Sequence, residues 1–175
     1  MKTLMKHIPN FLLFFFVLVS CNQTVDRGKE ADYFKKENGI TYYKGSPFTG
    51  TTVEYYGNGQ LKNKENFKEG KKDGVWELYY ENGKLERKGS YKEGNAVGVL
   101  ELYHENGKLR IKGSYNDGKE DGVWEWYHEN GKLRIKGSYK ERNAVGVWEY
   151  YHKNGQLRKK ETHWRELPFV PSEEE

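Results

Sequence analysis

The sequence predicts an all-β fold, an elongated single-layer array of antiparallel β-hairpins with a 24-residue period. Three observations lead there. Asn-Gly recurs at Asn58-Gly59, Asn82-Gly83, Asn106-Gly107, Asn130-Gly131 and Asn154-Gly155, always 24 residues apart. Each is flanked by alternating aromatic, aliphatic and charged residues, the pattern of strands with two unlike faces. Finally, a mean hydropathy of -1.05 leaves too little aliphatic material for a thick core. Yet 15% aromatic residues and 20 Gly against 4 Pro argue against disorder and for many short strands joined by glycine turns.

Residues 1–20 read as an export signal. "MKTLMKH" is a short basic stretch, and "FLLFFFVLV" is apolar but far shorter than the about 20 residues a bilayer span requires. Leu18-Val19-Ser20-Cys21 follows it and resembles the lipobox of bacterial lipoproteins, in which cleavage precedes the cysteine and its thiol receives a diacylglycerol. The resemblance implies lipidation at Cys21 and a lipid anchor in the cell envelope. With Asn22 in place of Asp, it implies the outer membrane in a Gram-negative host. Cys21 is the only cysteine, so no intramolecular disulfide can form. Residues 21–32 are expected to be a polar tether that holds the array off the bilayer.

The array is expected over residues 33–165. "YHENGKLRIKGSY" occurs at Tyr103–Tyr115 and again at Tyr127–Tyr139, the best-kept part of about five units. Periods of 20 to 50 residues signify solenoids or arrays, not duplicated active segments. Asn-Gly suits the two positive φ angles of a type I′ turn. That turn predicts a register in which Glu81 opposes Lys84, Tyr80 opposes Leu85, Glu77 opposes Lys88 and Trp76 opposes Gly89. One face then carries Trp76, Leu78 and Tyr80. The other carries Val75, Glu77, Tyr79 and Lys88, with Glu101, Glu125 and Glu149 facing Lys112, Lys136 and Lys160 in later units. On the aromatic face Trp76, Trp124 and Trp148 are expected over Gly89, Gly113 and Glu161, since a Trp ring can cover a glycine in a neighbouring strand. Between hairpins, segments such as "YKEGNAVG" are expected to form a second, wider turn.

The two ends depart from the pattern. "ENGITYYKGSPFTG" (Glu37–Gly50) reads as a shortened hairpin capping the entry, and residues 166–175 read as a disordered acidic tail.

The aromatic-x-x-Gly-x-x-x-Gly element, together with G-x-W-x-x-Y-x-x-N-G-x-L, resembles the bacterial variant of the MORN (membrane occupation and recognition nexus) repeat. The likeness covers about residues 33 to 165. It implies a repeat array without catalytic machinery. Proteins with this variant are often labelled antitoxins, which would make the chain an inhibitor or immunity protein for a cognate toxin.

No enzyme motif accompanies the repeats. His104, His128 and His152 fall one per unit, roughly 10 Å apart if each unit adds two strands, too far to share one zinc. The glutamates face lysines, which marks them as structural and not as acids held protonated for catalysis. No catalytic residue, metal site or cofactor is expected. Once residues 1–20 are removed the net charge is +2, with both signs interleaved, so no nucleic-acid partner is expected. Tyr55, Tyr79, Tyr103, Tyr127 and Tyr151 recur on the charged face, where no core needs them. They are the expected binding surface for an unidentified protein partner, a toxin under the resemblance above. The expected role is therefore a membrane-anchored, non-catalytic protein-binding scaffold.

Overall fold

The computed structural model describes residues 23–164. The signal segment, Cys21 and the 166–175 tail lie outside the described residues. What is described is a β array with a single 3-10 turn at Ala31–Tyr33 and no α-helix. No helix among the described residues is long and apolar enough to cross a membrane.

The first strand corrects the tether. Gln23–Asp26 forms β1, which runs parallel to β5 (Gly50–Tyr55) with Gln23 opposite Gly50 and Asp26 opposite Val53. Val25 is only 5% exposed, and the Arg27 amide donates to Val53 O at 2.8 Å. The reason is that the entry strands form a separate sheet and no preceding unit of the array pairs with β5. Its outer N–H and C=O groups would be bare, and β1 satisfies them.

The entry unit is a second, small sheet. β2 (Phe34–Glu37), β3 (Ile40–Tyr43) and β4 (Ser46–Pro47) pair antiparallel. Phe48, 2% exposed, sits edge-on to Phe34, Tyr43 and Phe67 with ring centroids 5.5 to 5.7 Å apart. Burying such a ring contributes about 2 kcal/mol. This cluster of Val25, Phe48 and Phe67 makes two layers at the N-terminal end.

Beyond it the array is one layer. β6 (Leu61–Lys68), β8 (Gly74–Tyr79), β9 (Leu85–Lys92), β10 (Asn95–Tyr103), β11 (Leu109–Asn116), β13 (Gly122–Tyr127), β14 (Leu133–Lys140), β15 (Asn143–Tyr151) and β16 (Leu157–His163) follow β5 in sequence order. Two short strands, β7 (Lys71–Lys72) and β12 (Lys119–Glu120), pair with β6 and β11. Each unit buries little by itself, so its stability comes from its neighbours.

The two turn types are the reverse of the expectation. At Asn82-Gly83 the Gly83 amide donates to Tyr80 O at 2.9 Å and the Tyr80 amide to Lys84 O at 2.8 Å. Only Gly83 has positive φ, 78°. This is a three-residue loop, a type I turn closed by a left-handed glycine. The asparagine is there for its side chain. Asn82 Oδ1 accepts from the Lys84 amide at 3.0 Å, and Asn82 Nδ2 donates to Glu105 O of the next turn at 3.4 Å. The two-residue turns with paired positive φ instead lie between units, at Glu69-Gly70, Glu93-Gly94, Asp117-Gly118 and Glu141-Arg142. The shortened entry hairpin shares that geometry at Asn38-Gly39.

The register nevertheless holds away from the loop. Glu77 opposes Lys88 and Trp76 opposes Gly89, whereas Leu85 is opposed by Tyr79 and not by Tyr80. The longer loop shifts the pairing by one, and a bulge at Glu86 shifts it back. On the aromatic face, a Cβ on Gly89 would lie 2.7 Å from Trp76 Nε1, so Trp76 covers its own hairpin's glycine as expected. Trp124 covers Gly113 of the preceding hairpin, also as expected. Trp148 opposes Glu161 in register, but its ring covers Gly137. Trp76 leans the other way because Glu65 occupies the glycine position of the unit before it.

Candidate binding face

The charged face is built from three parallel columns. Its centre is a ladder of alternating charge, one residue per long strand. Lys64 opposes Glu77, which opposes Lys88, then Glu101, Lys112, Glu125, Lys136, Glu149 and Lys160. Ion pairs within hairpins measure 3.4 Å (Lys88 to Glu77), 3.1 Å (Lys112 to Glu101), 3.0 Å (Lys136 to Glu125) and 2.6 Å (Lys160 to Glu149). Each interior charge therefore has an opposite charge on both sides, which favours one register because a slipped strand would lose those pairings.

The tyrosine column lies along one edge of this ladder, where each side chain enters at a register shift next to the loop. Tyr79, Tyr103, Tyr127 and Tyr151 donate their hydroxyls to Glu77, Glu101, Glu125 and Glu149, at 3.0, 2.9, 2.8 and 2.8 Å. Tyr55 differs. Val53 stands two residues before it, and Tyr55 is 47% exposed. The structure thus brings all five expected residues onto one face but gives four of them a carboxylate partner. The recurring Glu-x-Tyr was the available signal, since residues two apart in a strand share a face. Along the opposite edge run Val75, Val99, Val123 and Val147, 40 to 52% exposed.

The electrostatics follow from these bonds. Burial alone would raise the Glu125 carboxyl, but hydrogen bonds from Lys136 and Tyr127 and the Lys112 charge outweigh it and hold it below the usual range. Glu101 is lowered in the same way by Lys112 and Tyr103. Burial, with the bond to Glu125, pushes the Tyr127 hydroxyl up to about 12. These carboxylates stay charged and these phenols protonated, and each phenol oxygen keeps acceptor capacity toward a partner.

The histidines tie units together. His104 and His128 place Nε2 3.2 Å from Tyr127 O and Tyr151 O, the carbonyls of the next unit. Tyr56 and Tyr80, at the equivalent positions, donate to Tyr79 O and Tyr103 O at 2.7 Å. An Nε2–H tautomer reproduces the phenol's bond. Among the described residues no group of three His, Cys, Asp or Glu could hold a metal ion.

Comparison with known proteins agrees with this geometry. No curated protein matches the chain. Among solved structures, a chain of the GtfA/B complex bound to UDP and GlcNAc aligns at 9% identity and a TM-score of 0.25, over 74% of this chain and 24% of that one. At that score the alignment bears on neither fold nor function. The model of the MORN repeat variant matches residues 48–69, 72–93, 96–117, 120–141 and 144–165. These five segments keep the 24-residue spacing and fall on the five units that carry the ladder and the turn-to-turn bonds. With more than half of its residues in these matches, the chain belongs to the MORN repeat variant family.

Proposed function

We propose that the chain is a non-catalytic protein-binding scaffold, held at a membrane of the cell envelope through a lipidated Cys21. The observation that carries the reading is the charged face itself. A partner would meet a registered surface on which exposed valines and tyrosine rings flank a neutralised Lys/Glu ladder. Tyrosine supplies large contact area at low entropy cost, and a partner that covers the ladder's edges meets paired charges, not bare ones. The MORN repeat variant is consistent with such a repeat-based scaffold.

The test is affinity purification of the tagged, detergent-solubilised full chain from its native host, followed by mass spectrometry. The comparison forms are Cys21→Ser and the pair Tyr103→Ser with Tyr127→Ser. The expected result is one protein in near-equal amount with the parent chain, lost from the tyrosine pair while its circular dichroism is unchanged. A partner retained in full by the tyrosine pair would overturn the choice of face. Cys21→Ser should also lack the acyl mass and leave the membrane fraction. A toxin as the recovered partner would make the scaffold an immunity protein.

A further inference from the structure

The repeats act as controls for one another, and two departures from their pattern meet at one place. The first is Leu100. It stands where the other units from the second onward carry Trp76, Trp124 and Trp148. Its smaller side chain leaves a groove of about 210 Å³ on the aromatic face, walled by Trp76, Tyr91 and Tyr115 and floored by Leu100 and Gly89. A Cβ on Gly89 would meet Trp76 Nε1 at 2.7 Å but Leu100 Cδ1 only at 3.4 Å, so Trp76 covers this glycine and Leu100 leaves the space beside it unfilled. The corresponding Gly113 and Gly137 are covered tightly by the rings of Trp124 and Trp148.

The second departure is Arg87. The next two units place Ile111 and Ile135 at its position. Arg87 lines the same groove, with its guanidinium 5.7 Å from the Trp76 ring centroid and its Nε buried without a hydrogen-bond partner. A guanidinium among the lining groups of an otherwise aromatic and apolar groove favours a carboxylate in whatever ligand the groove takes. Glu120, the acid bonded to the Tyr115 wall, is engaged: it accepts from Tyr115 at 3.4 Å and lies 4.0 Å from Arg142.

Size decides what kind of ligand fits. Small-molecule sites enclose roughly 300 to 1,000 Å³, so this groove takes one side chain of a larger partner, not a whole metabolite. Leu100 replaces the tryptophan of the other units, and three aromatic walls favour a ring. We propose that the groove between Trp76, Leu100 and Tyr115 is an anchor site for a single aromatic side chain of an acidic peptide segment, whose carboxylate pairs with Arg87. The site lies on the face opposite the tyrosine column, so its failure would leave the scaffold reading untouched, and the reverse.

The experiment uses the uniformly 15N-labelled full chain in detergent and two capped peptides, acetyl-Glu-Trp-Glu-amide and acetyl-Lys-Trp-Lys-amide. The expected result is saturable amide shifts confined to residues around Gly89, Leu100 and Tyr115 with the acidic peptide only. Leu100→Trp fills the groove with the chain's own ring and should abolish those shifts while circular dichroism stays that of the parent. Arg87→Gln should weaken binding about tenfold. Equal binding of the two peptides, shifts elsewhere, no shifts at all, or undiminished binding by Leu100→Trp would each overturn the proposal.

Discussion

Gly137→Ala isolates the contact between a tryptophan ring and a bare strand backbone. Gly137 has no positive φ, so backbone conformation does not require glycine there. Alanine in a strand is favoured over glycine by about 0.5 to 1 kcal/mol on entropy alone. The structure predicts the opposite sign. A Cβ at this position would lie 2.7 Å from Trp148 Cε3 and closer still to Cδ2 and Cε2. The ring has little room to retreat, being 7% exposed and edge-on to Tyr139 and His163, with centroids 5.1 and 5.4 Å away. Overpacking of this kind costs about 1 to 3 kcal/mol. The urea midpoint of Gly137→Ala, followed by far-ultraviolet circular dichroism, should therefore fall. The decisive comparison is the same change in a Trp148→Leu background, since Leu100 shows that the array accepts leucine at this position. There alanine should be neutral or stabilising, giving a coupling of about 1 to 3 kcal/mol. An equal loss in both backgrounds would refute ring coverage as the reason for the glycine.

Arg142 occupies a left-handed position, φ 73°, where the equivalent turns have Gly70, Gly94 and Gly118. Relief of about 1 kcal/mol of backbone strain, less the bond from its guanidinium to Gly118 O at 3.0 Å, makes Arg142→Gly a stabilising change in thermal melts, and a lower melting temperature would contradict this. Glu101 and Glu125 have folded pKa values below their unfolded ones, so their contribution is present above the unfolded value of about 4.3 and fades as pH falls through the folded one. The drop in urea midpoint from neutral pH to pH about 3 should be smaller for Glu125→Gln than for the parent, and an identical drop would show that Glu125 contributes nothing. For Tyr127, raised to about 12, the sign reverses: its contribution is complete below about pH 10 and is lost as pH rises toward the folded value. Absorbance titration of the parent against Tyr127→Phe should show one phenol ionising late. His128→Phe should cost about 1 kcal/mol and His128→Tyr much less, because Tyr80 already makes the equivalent bond to the next unit, and equal losses would rule out the hydrogen bond.

The site was partly legible before the fold was known. The face of Tyr79, Tyr103, Tyr127 and Tyr151 could be assigned from the two-residue period, but their Glu partners could be found only by asking which residues share that face. Pairings between hairpins, such as Lys112 with Glu125, depend on how units stack and had no local signal. The groove beside Leu100 is a break in the tryptophan column that reads as a conservative change until the neighbouring rings are in place.

The primary sequence by itself determined the all-β class, the 24-residue unit, which side chains share a face and the pairing of Glu77 with Lys88, because alternation and repetition are local properties. Tertiary structure alone decided the rest. The turn types exchanged places because Asn82 is used for bonds to its own turn and to the next one. The expected tether became β1 because the first repeat's edge needed a partner for its backbone. Trp124 and Trp148 lean toward the preceding hairpin and Trp76 does not, because Glu65 stands where a glycine would have received it. In each case the deciding contact joins residues of different units, and no reading of one unit contains it.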